Sequence, residues 1–133
     1  MPLLSTAHRE LVDAAEDAVR RFARTDNHTV AAAARNADGR VVTALNAYHF
    51  TGGPCAELAL IGAAAGQGAY DLTAIVAVGD EGRGVIPPCG RCRQVLLDYF
   101  PGIEVLVGRG PDLRAVRVRD LLPEAYVRAD HQD

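Results

Sequence analysis

Three cysteines and one glutamate stand at spacings that can do chemistry. Cys55 and Glu57 sit in TGGPCAEL, and Cys89 and Cys92 form a C-x-x-C pair in IPPCGRCRQ. Thiolates are soft ligands that suit zinc, and a helix N-terminus depresses a thiol pKa so that the ligating form is available near neutral pH. Three protein ligands leave the fourth tetrahedral position open, which marks a catalytic zinc rather than a structural one. Glu57, two residues after Cys55, is near enough to take a proton from a water activated there without being a ligand itself.

Each residue also has a plainer reading. The C-x-x-C could be a thioredoxin-like redox pair, but that leaves Cys55 and Glu57 without a role. Cys55 alone reads as core filler, and Glu57 alone as a carboxylate favoured by a helix dipole. His49 could close the site as a fourth ligand beside the three cysteines, although it lies six residues before Cys55 in a glycine-containing loop. The other histidines, His8, His28 and His131, read as surface residues. Three thiolates around one Zn2+ leave a net negative charge that a cation should offset. Arg91 and Arg93 flank Cys92, and Arg93 is the expected hydrogen-bond donor to the sulfurs.

The elements that must position these residues follow from periodicity. Residues 6–24 carry apolar side chains at three- and four-residue steps with arginines late, an amphipathic helix capped by Ser5 or Thr6. Residues 28–34 and 40–45 read as strands joined through the turn Asn36-Ala37-Asp38-Gly39. Pro54 suits a first helical position, and the run after it is apolar nearly all round, so a buried helix is expected. Residues 72–78 read as a strand covered on both faces, followed by a glycine-rich loop. Residues 90–100 form a helix, 103–107 a strand, 115–118 a fifth strand, and 119–125 a short helix. Right-handed crossovers should then stack helices on both faces of one mixed five-stranded sheet, an α/β chain in three α/β/α layers. In such a sheet both cysteine-bearing helix starts lie at one edge, where these folds bind ligands.

The chain has 133 residues, 49% hydrophobic and 23% charged, which bounds it to one globular domain over residues 1–133. No apolar run reaches membrane-span length, and MPLLSTAHRE does not read as a signal peptide, so a cytoplasmic location is expected. All 14 basic residues are arginine, which rules out lysine-dependent Schiff-base or phosphate-loop chemistry. A net charge of -3 argues against nucleic acid as partner. Gly52-Gly53 should allow a close approach of the chain to a substrate.

A zinc held by three cysteines, a nonligand Glu and a P-C-x-x-C element form the pattern of zinc nucleobase deaminases. The segments CAE and IPPCGRCRQVLLD resemble the cytidine deaminase family. NAYHFTGGPCAEL, GRGVIPPCGRCRQVLLDYFPGI and DLLPEAY are similar to its blasticidin S deaminase branch, and the likeness runs from roughly residue 38 to 126. The resemblance implies a homotetramer, zinc on Cys55, Cys89 and Cys92, and Glu57 as proton shuttle. The implied reaction is hydrolytic replacement of the 4-amino group of a cytosine nucleoside, with release of ammonia. It also implies a pocket that includes Thr29, Asn46, Tyr48, Ala56, Arg83 and Tyr126, and an arginine pairing with a carboxylated sugar would connect the chain to antibiotic resistance. Two departures bear on substrate: Tyr48 stands where cytidine deaminases typically carry a ribose-binding acid, and Leu58 where many carry an arginine. Two other functions fit the motifs, a polynucleotide-editing deaminase and a noncatalytic zinc-stabilised binding module.

Overall fold

The computed structural model describes residues 4–130. The chain opens with helix α1, Thr6–Phe22. The Ser5 hydroxyl accepts the His8 N–H, and His8 Nδ1 accepts the Ser5 N–H, a reciprocal cap that satisfies two donors at the helix start. His8, expected on the surface, is partly buried because its Nε2 lies 3.1 Å from Glu104. His28 is exposed as expected, while His131 falls outside the described residues.

Strands β1 (Val30–Asn36) and β2 (Val41–Leu45) form the hairpin, with Gly39 at a φ of 95°, which a side chain would strain. Helix α2, Ala56–Ala65, leads to β3, Leu72–Gly79. Gly84–Val85 pairs back on β3 as β4, a strand too short and glycine-rich to leave a periodic signal. Helix α3 (Gly90–Tyr99), β5 (Glu104–Val107) and β6 (Arg114–Arg117) follow, and a 3-10 turn at Val118–Leu121 replaces the expected short helix. The main path of the sheet is β2-β1-β3-β5-β6, five strands with β4 added beside β3.

Strands β3 and β5 are parallel, and β1 runs antiparallel to both β2 and β3. β2, β3 and β5 therefore share one direction, and the two crossovers through α2 and α3 step the same way along the sheet. Right-handed connections stepping one way land on one face. This corrects the expectation that the crossovers populate both faces: α2 and α3 pack together with Ala32, Ala34, Ile75 and Ala77, while α1 alone covers Ala31, Ala33, Val76 and Val78. The three layers arise because the first helix, not a crossover, supplies the third. Alternation along the alanines of β1 serves both layers with small side chains that let helices approach closely.

The α2 expectation also needs amendment. Ala56, Glu57, Leu60 and Ala64 are buried, but Gly62, Ala63 and Ala65 face outward on the single chain. Among the described residues no helix is long and apolar enough to cross a membrane.

Candidate active site

Both cysteine-bearing helices start at the carboxyl-terminal side of the parallel strands, α2 after β2 and α3 after β3. Cys55 and Cys89 are their N-caps, and Cys92 lies in the first turn of α3. Pro54 thus stands one place before the cap rather than at the first helical position. The loop into Cys55 is tight: Ala47 N–H donates to Pro54 O, Gly52 N–H to His49 O, and Tyr48 N–H to Asn27 O. A Cβ on Gly53 would overlap the Ala47 carbonyl oxygen, so the loop's own backbone already requires glycine there.

The Cys55 and Cys89 sulfurs are 3.6 Å apart, and all three sulfurs lie within 4.8 Å of one another. Zinc–sulfur bonds of about 2.3 Å in a tetrahedron put sulfurs about 3.8 Å apart, so the donor set fits Zn2+. Among the described residues no histidine joins this cluster. The His49 ring bonds Thr51 and stacks on Phe50 with centroids 4.4 Å apart.

The electrostatics of the cluster fit the same ion. Burial pushes the Cys92 thiol far up, and the negative charge of Glu57 and the neighbouring sulfurs add to this. Burial also raises Cys89, but interactions with the Cys92 and Arg91 backbone amides and the adjacent thiols outweigh it and leave that thiol lowered. Sulfurs this close cannot all ionise without a cation between them. Glu57 is only 6% exposed, and burial raises its carboxyl above the usual range, although its own backbone N–H and the Cys92 thiol pull partly the other way. Glu57 thus sets a buried carboxyl beside the Cys92 sulfur, a mutually perturbed pair of the kind that functional sites hold.

Of the two arginines expected beside the sulfurs, Arg91 lies there and Arg93, the expected donor, does not. Arg91 Nη2 donates to Gly53 O at 3.1 Å and approaches Cys55 Sγ at 3.9 Å. Arg93 reaches no sulfur; its Nε donates to Pro88 O at 2.8 Å and its Nη1 to Leu121 O at 3.0 Å. Residues two apart on a helix point in widely different directions, so only one of the pair can face Cys55.

Asn46 serves as a staple that sequence reasoning missed. Its Oδ1 accepts the N–H groups of Thr29 and Val30 at 2.8 and 3.0 Å, and its Nδ2 donates to Thr29 Oγ1. Arg83 is engaged as well, donating from Nη2 to Thr29 O at 2.9 Å and to Asp80 at 2.8 Å. Thr29, Asn46 and Arg83 are therefore brought together at the start of β1, and Ala56 is buried between Cys55 and Glu57. Tyr48 and Tyr126 are exposed, and the Tyr126 carbonyl accepts from Gln94. Phe50, 84% exposed two residues beyond Tyr48, was not singled out from sequence. A cleft of about 690 Å³ between the end of α1 and the β3–β4 turn contains neither the cysteines nor Glu57.

Comparison with known proteins agrees with this geometry. Residues 5–106 match the cytidine and deoxycytidylate deaminase zinc-binding region. The chain is 31% identical to blasticidin-S deaminase of Bacillus cereus over 94% of this chain and 96% of that protein. It is 43% identical to cytidine deaminase of Mycobacterium tuberculosis over 73% of this chain and 71% of that one. The crystal structure of cytidine deaminase from Mycobacterium tuberculosis superposes with a TM-score of 0.74 at 35% identity, covering 89% of this chain and 95% of that chain. That from Burkholderia pseudomallei gives 0.73 at 33%, covering 90% and 98%. With three sulfurs spaced for zinc at paired helix starts, the chain belongs to the cytidine and deoxycytidylate deaminase family and is a zinc-dependent hydrolase.

Proposed function

We propose that the protein deaminates the cytosine ring of a free nucleoside or nucleoside antibiotic, with Glu57 as the proton carrier. The observation that supports this most is a carboxylate buried against the three-sulfur cluster, an arrangement that a structural zinc site has no use for. Cys55, Cys89 and Cys92 hold the metal, which supplies a Lewis acid that makes water nucleophilic near neutral pH. Glu57 takes one proton from the attacking water and delivers it to ring N3, then takes the second proton from the resulting C4 hydroxyl and passes it to the 4-amino group, which leaves as ammonia as the C4 oxygen becomes a carbonyl. Arg91 offsets the negative charge of the thiolates in place of the arginine that Leu58 does not provide.

On the sugar side, the Asn46 amide is occupied in holding Thr29 and Val30, and Tyr48 offers a neutral hydroxyl where an acid would accept two hydrogen bonds. A ribose therefore finds weaker partners, while the aromatic loop of Tyr48 and Phe50 accommodates a larger modified sugar. A substrate carboxylate reaching Arg83 competes with Asp80 for the guanidinium. The outward face of α2 and the exposed Phe50 support assembly as a homotetramer, which light scattering after size-exclusion chromatography measures.

Ammonia release, with ultraviolet loss of cytosine absorbance, across cytidine, deoxycytidine, blasticidin S and short single-stranded DNA tests the reading. Turnover of blasticidin S at least as efficient as that of cytidine is expected. A hundredfold preference for cytidine with no blasticidin S turnover would leave a plain cytidine deaminase, and turnover of DNA alone would make it a polynucleotide enzyme.

A further inference from the structure

Arg93 lies in the zinc motif yet points away from the sulfurs, and the groups it does touch give it a different job. Its Nε donates at 2.8 Å to Pro88 O, the carbonyl of the peptide that leads into Cys89, while its backbone N–H makes the regular first-turn bond to Cys89 O at 3.0 Å. Its Nη1 reaches Leu121 O in the C-terminal segment at 3.0 Å. The next residue, Gln94, donates to Tyr126 O at 2.6 Å and to the Asp98 carboxylate at 3.0 Å. Asp98 in turn accepts the Arg128 N–H at 2.6 Å. Three side chains of α3 thus anchor residues 121–128 along the helix whose first turn carries Cys89 and Cys92. Leu122, Ala125 and Val127 of that segment add apolar contact with the core under α2 and α3.

We propose that Arg93 is a positioning residue that couples zinc retention to docking of the C-terminal segment on α3. The rigid guanidinium spans two carbonyls from different directions, so the docked segment and the Pro88–Cys89 peptide hold one another in place. Undocking the segment removes one end of this clamp and lets Cys89 leave the geometry that three thiolates must share. Groups that orient metal ligands in this way are typically worth about ten- to a hundredfold in metal affinity.

The test is zinc affinity by competition with a chromophoric chelator, read together with the visible absorption of the Co2+-substituted protein, whose thiolate charge-transfer and d–d bands report the ligand set. Wild type is compared with Arg93→Gln and with Gln94→Leu/Asp98→Ala, a pair that touches no sulfur. Arg93→Gln should bind zinc about ten- to a hundredfold more weakly, with a changed Co2+ spectrum. The double variant should weaken zinc at least severalfold and become sensitive to trypsin at Arg119. Wild-type affinity and spectrum in Arg93→Gln would overturn the proposal. So would weakened binding in Arg93→Gln alone, because Arg93 would then act on Pro88 without the tail. If Arg93→Gln does not fold, wild-type affinity in the double variant is sufficient to overturn it. Cys89→Ser separately tests the ligand assignment, since zinc retained there contradicts the site itself rather than the clamp.

Discussion

Replacing Glu57 by Gln keeps volume and hydrogen-bonding capacity but removes the proton acceptor, and the structure sets the size of the effect. General acid–base catalysis contributes about 10² to 10⁴ in rate. With the carboxylate only 6% exposed, little solvent is at hand to act as a substitute base, so the upper half of that range applies. A loss of about 10³ to 10⁴ in kcat corresponds to about 4 to 5 kcal/mol of barrier. The same burial makes a second, opposite expectation for the metal-free protein. A carboxyl whose folded-state pKa is raised stabilises the fold in its protonated form, an advantage complete below the unfolded value near 4.5 and lost as pH rises through the folded value. Metal-free Glu57→Gln should therefore melt above metal-free wild type at neutral pH, and the two should converge in acid. Steady-state ammonia release at full zinc occupancy, with zinc measured by elemental analysis, reads the first effect, and calorimetry across pH the second. Zinc-replete Glu57→Gln retaining turnover within tenfold of wild type would remove Glu57 from the mechanism.

Other consequences are more local. Cys89→Ala should lose zinc, activity and the rise in melting temperature that zinc gives wild type, which at a thousandfold excess over Kd is worth about 4 kcal/mol; stoichiometric zinc in that variant contradicts the ligand assignment. Arg83→Ala releases Thr29 O and Asp80 together, so KM should rise severalfold for cytidine and blasticidin S alike, whereas a loss confined to blasticidin S would give Arg83 direct contact with the substrate carboxylate. The Asp38 carboxyl is held down at about 2 by its hydrogen bonds with Asn36 and Arg40, so its contribution to stability is present above about pH 4 and fades toward pH 2. Asp38→Asn should flatten the melting temperature over that interval, and an unchanged acid limb would refute the assignment.

The sequence carried the site's composition further than its orientation. Cys55, Glu57, Cys89 and Cys92 were legible because ligand chemistry and helix-start signals coincide at those positions, and the structure brings the three sulfurs together. The main strands were legible within one or two residues because short apolar runs, buried on both faces, and the Asp38-Gly39 turn mark them. β4 escaped because two residues have no period. The face taken by each helix escaped because it depends on strand order, and placing β1 between β2 and β3 is a tertiary outcome. That Arg91 and not Arg93 meets a sulfur escaped for the same reason: adjacency to Cys92 in sequence does not say which guanidinium faces Cys55 across the gap between α2 and α3. The staple made by Asn46 was hidden because its partners, Thr29 and Val30, lie on the other strand of a hairpin.

In the proposed function three sulfurs and one buried carboxylate suffice, with zinc, for hydrolytic deamination. Its most direct measurement is titration of metal-stripped protein with Zn2+ while ammonia released from the best cytosine substrate is followed. Activity should be absent without metal, rise linearly, and break at one zinc per chain in wild type, with full zinc uptake but little activity in Glu57→Gln. Undiminished deamination by the stripped protein, or stoichiometric zinc with no ammonia from any cytosine compound, would contradict the account.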